Sequence, residues 1–297
     1  MRYVALASLC LFTSACHDRA TALVPVTDAP PPPQASKVES TATQAIADAK
    51  ADPSELTPSD DFYGLYFQGS KVGWMHVTFT TARVLTTELY AKVGGMGQVS
   101  EVRFNEQRSY GADGELTLIT FSQSAATGAV TVRGERHGKM LSVTSSAGGA
   151  SRAAQDVEVH ETLSDALKLQ QLAKEAKIGA SATATRYDPS VMQVITAKSS
   201  VTGVEKKLFG GVETEVVKIE TTYPELQISE SAWVDAKGTT VESRIGGFFV
   251  ARLEAPEEAK RLDFSQDLLV SAVVAVPKPV SNQQDLTKMT VRFSGFN

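Results

Sequence analysis

The stretch Phe62-Tyr63-Gly64-Leu65-Tyr66-Phe67-Gln68-Gly69-Ser70-Lys71-Val72-Gly73-Trp74-Met75-His76-Val77-Thr78-Phe79 sets two aromatic and β-branched runs on either side of a glycine-centred turn. That pattern predicts a β-hairpin. Downstream, further strand-like runs stand at 85–93, 99–110, 116–122, 129–136 and 140–144, separated by Gly94-Gly95, Asp113-Gly114, Gly128 and Gly138. Short strands with regular glycine turns predict an antiparallel sheet. After Tyr187-Asp188-Pro189-Ser190 the strands resume at 192–197, 201–208, 212–222, 227–234, 239–244 and 248–254, with Asp235-Ala236-Lys237-Gly238 as one of the turns. The same strand, Asp and Gly turn, strand sequence occurs at 109–121 and at 232–244, which leaves open two similar sheet layers or an internal duplication.

One helix is predicted, over about 162–177. Thr162 and Asp165 supply an N-cap, while Leu163, Ala166, Leu167, Gln170 and Ala173 recur at helical spacing, with Leu169, Leu172 and Ala176 widening the stripe. Lys174 and Lys177 suit the negative end of the helix, and Gly179 is the expected C-terminal stop. The fold expected is therefore α+β but mostly β: one or more large curved antiparallel sheets, half-barrel-like, packed on this helix. The remaining apolar run ends at Pro277 and Pro279, and 286–293 reads as the start of another strand.

The N-terminus carries a different signal. Met1 and Arg2 precede a short apolar run that ends in Thr13-Ser14-Ala15-Cys16, the shape of a secretory signal peptide. The run falls short of the about 20 apolar residues needed to span a bilayer. Thr13-Ser14-Ala15-Cys16 resembles a bacterial lipobox, which implies acylation of the Cys16 sulfur and a stable membrane anchor. Lipoboxes usually carry Leu where Thr13 stands, so cleavage without lipidation is the alternative. Residues 17–60 are Ala, Thr, Ser, Asp and Pro, with Pro30-Pro31-Pro32-Pro33 at their centre, and read as an extended, disordered tether. The domain plan is thus a signal peptide at 1–16, a tether at 17–60, a β-rich accessory or binding domain at 61–276, and at 277–297 a linker with the start of a truncated or terminal strand. His17 and Asp18 follow the cysteine; by resemblance to enterobacterial sorting rules, the absence of Asp directly after it favours the outer membrane, facing the periplasm.

The chain has 297 residues, 42% hydrophobic, and a net charge of -5, which excludes the excess of Lys and Arg needed for a non-specific nucleic-acid binder. Its two cysteines, Cys10 and Cys16, both lie at the signal, so the folded body has no disulfide, no Cys-ligated metal and no Cys nucleophile. The histidines His17, His76, His137 and His160 show no metal-ligand spacing, and His76 reads as a strand-face residue. Gly94-Gly95-Met96-Gly97 lacks the Lys and the strand-to-helix setting of a phosphate cradle and reads as a loop. Glu101 with Glu106, and Glu213 with Glu215, read as solvated strand faces; Trp74 and Trp233 read as core anchors. No catalytic, metal or cofactor residue is expected.

Several segments together resemble the N-terminal β-rich region of bacterial exported transglutaminase-like proteins. They are 63–74, Leu163-Ser164-Asp165-Ala166-Leu167, the stretch from Ile178-Gly179 through Tyr187-Asp188-Pro189-Ser190, Phe209-Gly210-Gly211-Val212, and the tail from Val276-Pro277-Lys278-Pro279-Val280 through Val291-Arg292-Phe293-Ser294-Gly295. The resemblance implies an accessory region preceding a core with a Cys, His and Asp triad. With no cysteine after Cys16, no triad member carries over to this chain. The expected function is a non-catalytic cell-envelope lipoprotein, an accessory or scaffold domain whose partners are the membrane through Cys16 and a transglutaminase-like domain or other envelope protein. The strands and covering helix also look like the half-barrel of periplasmic lipoprotein carriers, which implies the alternative of a binding module holding a lipid or other amphiphile in a groove.

Overall fold

Alternation assigns most strands a face. In β2 (Ser70–Phe79), Met75, Val77 and Phe79 are buried while Trp74, His76 and Thr78 are half-exposed on the other side. The same period of two runs through β1 (Ser59–Phe67), β3 (Val84–Gly95), β4 (Gln98–Tyr110), β5 (Leu116–Ala125), β6 (Gly128–His137) and β7 (Met140–Ala147). β8 (Ala150–Glu158) completes this first meander. A second meander follows: β9 (Ser181–Asp188), β10 (Gln193–Phe209), β11 (Val212–Tyr223), β12 (Ile228–Asp235), β13 (Thr240–Ile245) and β14 (Phe249–Glu254). The computed structural model describes residues 58–95, 98–126 and 128–262.

The two meanders are one sheet. Strand order is β8-β7-β6-β5-β4-β3-β2-β1-β14-β13-β12-β11-β10-β9, and the join is the antiparallel pair β1 and β14, from Phe62 opposite Glu254 to Phe67 opposite Phe249. The recurring Asp and Gly turn therefore marks equivalent hairpins of a single layer and not two stacked layers. The outermost strands, β8 and β9, do not pair with one another, so the sheet is a curved half-barrel left unclosed. Bulges at Leu65/Tyr66, Ser109/Tyr110, Val201/Gly203 and Trp233/Val234 bend it. Gly73 sits at the tightest approach: a Cβ there would lie 2.1 Å from the Tyr90 carbonyl oxygen.

Helix α1 (Leu163–Glu175) joins the meanders across the concave face. Thr162 accepts from the Asp165 backbone N–H, and the Asp165 side chain accepts from the Thr162 N–H, closing a capping box. The helix ends at Ala176 in the left-handed region (φ 48°), ahead of the expected stop at Gly179. Leu163 and Leu167 pack into a large apolar cluster with the inner residues of β1 to β7, among them Leu65, Phe104 and Ile119; Leu169, Leu172 and Ala173 pack into a second cluster with Ile195, Ile219 and Ala232.

Two strands escape the pattern of apolar alternation. β8 is exposed at nearly every position, and β9 is rich in Ala and Thr. The runs at 192–197 and 201–208 are one continuous strand, β10, because the bulge at Gly203 bends the chain without ending it. Gly94 and Gly95 belong to β3 instead of a loop. A short helix, α2 (Pro256–Lys260), rests on the convex side, where Lys71 Nζ donates to the Glu258 carbonyl. The expected signal peptide, nearly all of the tether and the segment after 262, including the expected strand at 286–293, lie outside the described residues.

Candidate functional site

Charged side chains interrupt the apolar inner face. Along β4 the inward positions run Val102, Phe104, Glu106, Arg108, Tyr110, and the last two meet Glu161 from the segment before α1. Arg108 donates from Nε to Glu106 (2.7 Å), from Nη1 to both oxygens of Glu161 (2.7 and 2.6 Å), and from Nη2 to the Tyr187 carbonyl (2.8 Å). Glu161 also accepts from the Tyr110 hydroxyl and from the Tyr187 backbone N–H. Burial opposes the Arg108 charge, but Glu106 and Glu161 more than reverse this and hold its pKa well above the usual value; burial and the neighbouring Glu161 push the Tyr110 phenol up. The network ties β4 to β9, strands from different meanders, and each nitrogen of the guanidinium has an acceptor.

A second buried guanidinium is not so served. Arg186 and Asp188 are inward neighbours on β9, 8% and 1% exposed. Their closest approach, Arg186 Nη2 to Asp188 Oδ2, is 3.6 Å, beyond hydrogen-bond length. Among the described residues, Arg186 Nε and Nη2 and Asp188 Oδ2 have no hydrogen-bond partner. Each such buried group costs about 1–3 kcal/mol, and more when charged. Asp188 Oδ1, by contrast, accepts from the Ser190 backbone N–H and hydroxyl in a local turn. Nearby on the concave face, Glu230 accepts from the Tyr223 hydroxyl (3.0 Å). Burial raises the Glu230 pKa to about 7, against the pull of Tyr223, Ser243 and the Arg186 charge. Glu230, Ser243 and Arg186 lie where the apolar clusters meet: Ser243 pairs with Ala232 of the second cluster and Ala251 of the first, Glu230 lies opposite Ile245 of the first, and Arg186 lies opposite Ile195 of the second and next to Tyr187 of the first.

The convex face carries a cleft of about 900 Å³ between the tip of the β10–β11 hairpin and the join of β1 with β14. Phe62, Tyr66 and Phe209 line it together with Asp60, Glu242 and Glu254. Here every one of these carboxylates is engaged by the protein: Asp60 with His76 (2.6 Å), Glu254 with Lys71 (2.6 Å) and Tyr66, and Glu242 with Arg244 (2.9 Å) and Arg252 (3.0 Å). Next to it Trp233 donates to Glu205 and is capped by Lys207 Nζ, 3.6 Å from the ring centre. Asp61 and Glu258 line it as well, so the cleft combines apolar surface with a concentration of carboxylates.

Of the residues singled out in the sequence, Cys16 lies outside the described residues. His76 is on the convex strand face, stacked on Phe62, with Nε2 toward Asp60 and Nδ1 toward Glu88 (3.8 Å); both nitrogens address carboxylates, and neither addresses a hydroxyl nucleophile. His137 and His160 are exposed. Glu213 and Glu215 are solvated and so is Glu101, but Glu106 is 3% exposed and belongs to the interior network. Trp233 anchors only a small convex cluster with Val216 and Val241, and Trp74 is half-exposed beside Tyr90, so neither stands in the main core. Among the described residues no group of three or more His, Cys, Asp or Glu is arranged to hold a metal, and no helix is long and apolar enough to cross a membrane. The interior pair Arg186 and Asp188 is not among the residues that the sequence singles out. Its signal lies in charges at the inward period of a strand, Ala182, Ala184, Arg186, Asp188, but the strands expected from sequence do not include β9.

No protein-family model matches the sequence, and no curated protein does. Among solved structures, the chain is similar to a β-barrel-like protein of domain of unknown function DUF1849 from Brucella abortus, at 12% identity and a TM-score of 0.51, covering 67% of this chain and 96% of that one. A DUF1089 family protein from Pseudomonas aeruginosa aligns at 13% identity over 59% of this chain and 90% of its own, with a TM-score of 0.33, too low to bear on the fold. The first likeness agrees with the unclosed β-barrel architecture and extends to the fold alone. The resemblance to transglutaminase-like proteins gains no support from these comparisons.

Proposed function

We propose that this chain is a non-catalytic binding module of the bacterial cell envelope, held at the membrane, most simply the outer membrane, by lipid on Cys16 and raised from it by the residues between Cys16 and β1, and that its unclosed sheet holds an amphiphile against the concave face. The observation that carries this reading is the interior itself, where two apolar clusters meet at buried polar groups that the protein does not fully satisfy. An amphiphile needs such a division, an apolar wall for the chain and polar atoms for the head. Beneath α1 the sheet is already occupied by Leu169, Leu172 and Ala173, so the ligand lies along the polar band and not under the helix. β8, exposed along both faces, is held by few apolar contacts and is the edge that moves aside to admit it.

The test is direct. The mature chain, purified from membranes and denatured, releases a lipid identified by mass spectrometry, and the delipidated protein binds a fluorescent fatty-acid probe saturably. A preparation with no bound lipid and no saturable binding refutes the reading. Docking of a transglutaminase-like domain or another envelope protein is the second reading, favoured by the convex cleft and the exposed Leu208, Val212 and Leu253 around it. It predicts that a protein crosslinked to this chain in the intact envelope is lost in Leu208→Asp.

A further inference from the structure

The two buried arginines of the half-barrel differ in one respect. Arg108 directs Nε, Nη1 and Nη2 to acceptors at 2.6–2.8 Å. Arg186, nine-tenths buried in the same interior, leaves Nε and Nη2 without an acceptor, and beside it Asp188 Oδ2 is without a donor, among the described residues. Unmatched donors and an unmatched acceptor thus stand side by side on one face of β9, separated by a distance too long for them to satisfy each other.

We propose that Arg186 and Asp188 form a head-group site for a neutral amide, in which the amide oxygen accepts from Arg186 Nε and Nη2 and the amide N–H donates to Asp188 Oδ2. This rests on the amphiphile-binding reading and names the class of head that it takes. An amide presents an acceptor and a donor next to one another, which matches the pair. A free carboxylate or phosphate would satisfy Arg186 but present only acceptors to Asp188. It would also add negative charge to an interior where carboxylates already outnumber guanidiniums, with Glu106, Glu161, Asp188 and Glu230 against Arg108 and Arg186. A head with no hydrogen-bonding group leaves the polar atoms unmatched.

The experiment measures binding of oleamide, N,N-dimethyloleamide and oleate to the delipidated mature chain, with Arg186→Met and Asp188→Asn as variants and thermal unfolding as the control for folding. Oleamide is expected to bind at least roughly tenfold more tightly than either of the others, and each variant to lose about tenfold for oleamide. Asp188→Asn should narrow the gap between oleamide and oleate by removing the repelling charge. Oleate binding as tightly as oleamide overturns the amide site while leaving the amphiphile module standing. Equal binding of the dimethyl compound also overturns it, because that compound cannot donate to Asp188. Failure of all three to bind removes the module itself. The ranking of the three ligands on the wild-type protein decides the matter even if a variant does not fold.

Discussion

Glu161→Gln is the substitution on which the account of the interior depends most directly. The Glu161 carboxylate accepts from Arg108 Nη1 at 2.7 and 2.6 Å, from the Tyr110 hydroxyl at 2.9 Å and from the Tyr187 backbone N–H at 3.1 Å. Glutamine keeps the shape but turns one oxygen into an NH2 group facing donors, and it leaves the Arg108 charge with Glu106 as its remaining carboxylate. Breaking a buried pair in this way costs about 3–5 kcal/mol. At about 2–4 °C per kcal/mol for a folded body near this size, the melting temperature should fall by roughly 6–20 °C. Differential scanning calorimetry of the mature chain at neutral pH measures it. The triple replacement of Glu106, Arg108 and Glu161 by Met should be less harmful than Glu161→Gln alone, because no uncompensated charge then remains. A fall of less than about 3 °C for Glu161→Gln, under the cost of one mid-sized buried interaction, would refute the view that this network staples β9 to β4.

Stability should also depend on pH through Glu230. Its pKa in the fold, about 7, lies above the ordinary carboxylate value of 4.5, so the unfolded chain gives up this proton before the folded one does. The contribution is intact below about pH 4.5 and is lost as pH rises toward 7, a destabilisation of up to about 3 kcal/mol. Glu230→Gln, a mimic of the protonated form, should therefore match wild type at pH 4.5 and exceed it at pH 8; identical melting curves at pH 8 would contradict the assignment. Gly73→Ala forces a Cβ to within 2.1 Å of the Tyr90 carbonyl and should cost about 1–3 kcal/mol in urea titrations, as overpacking does, whereas a neutral result would mean that β2 and β3 stand further apart. Cys16→Ser should move the protein from the membrane to the soluble envelope fraction on centrifugation; retention in the membrane would remove the lipid anchor from the account.

Much of the architecture is legible in local pattern. The hairpin around Gln68 and Gly69, the capped helix at Thr162 and most of the strands follow from period-two alternation, turn residues and capping, because each depends on neighbours within a few positions. Where burial is missing the pattern fails. β8, exposed on both faces, and β9, built on Ala and Thr, carry no alternating apolar signal, and the helix stops at Ala176 where geometry, not a glycine, allows it. Composition places both cysteines, Cys10 and Cys16, ahead of the first strand.

Only the folded arrangement decided that the meanders merge into one sheet, through Phe62 opposite Glu254, and which charges meet inside it. Glu161 lies 53 residues from Arg108, and Arg108 lies 79 from the Tyr187 carbonyl that it binds. Pairings over such separations depend on how the curved sheet brings its distant strands together, and that is set by long-range register and burial. No window of sequence contains them, and Arg186 likewise looks like any strand charge until the curvature turns it inward.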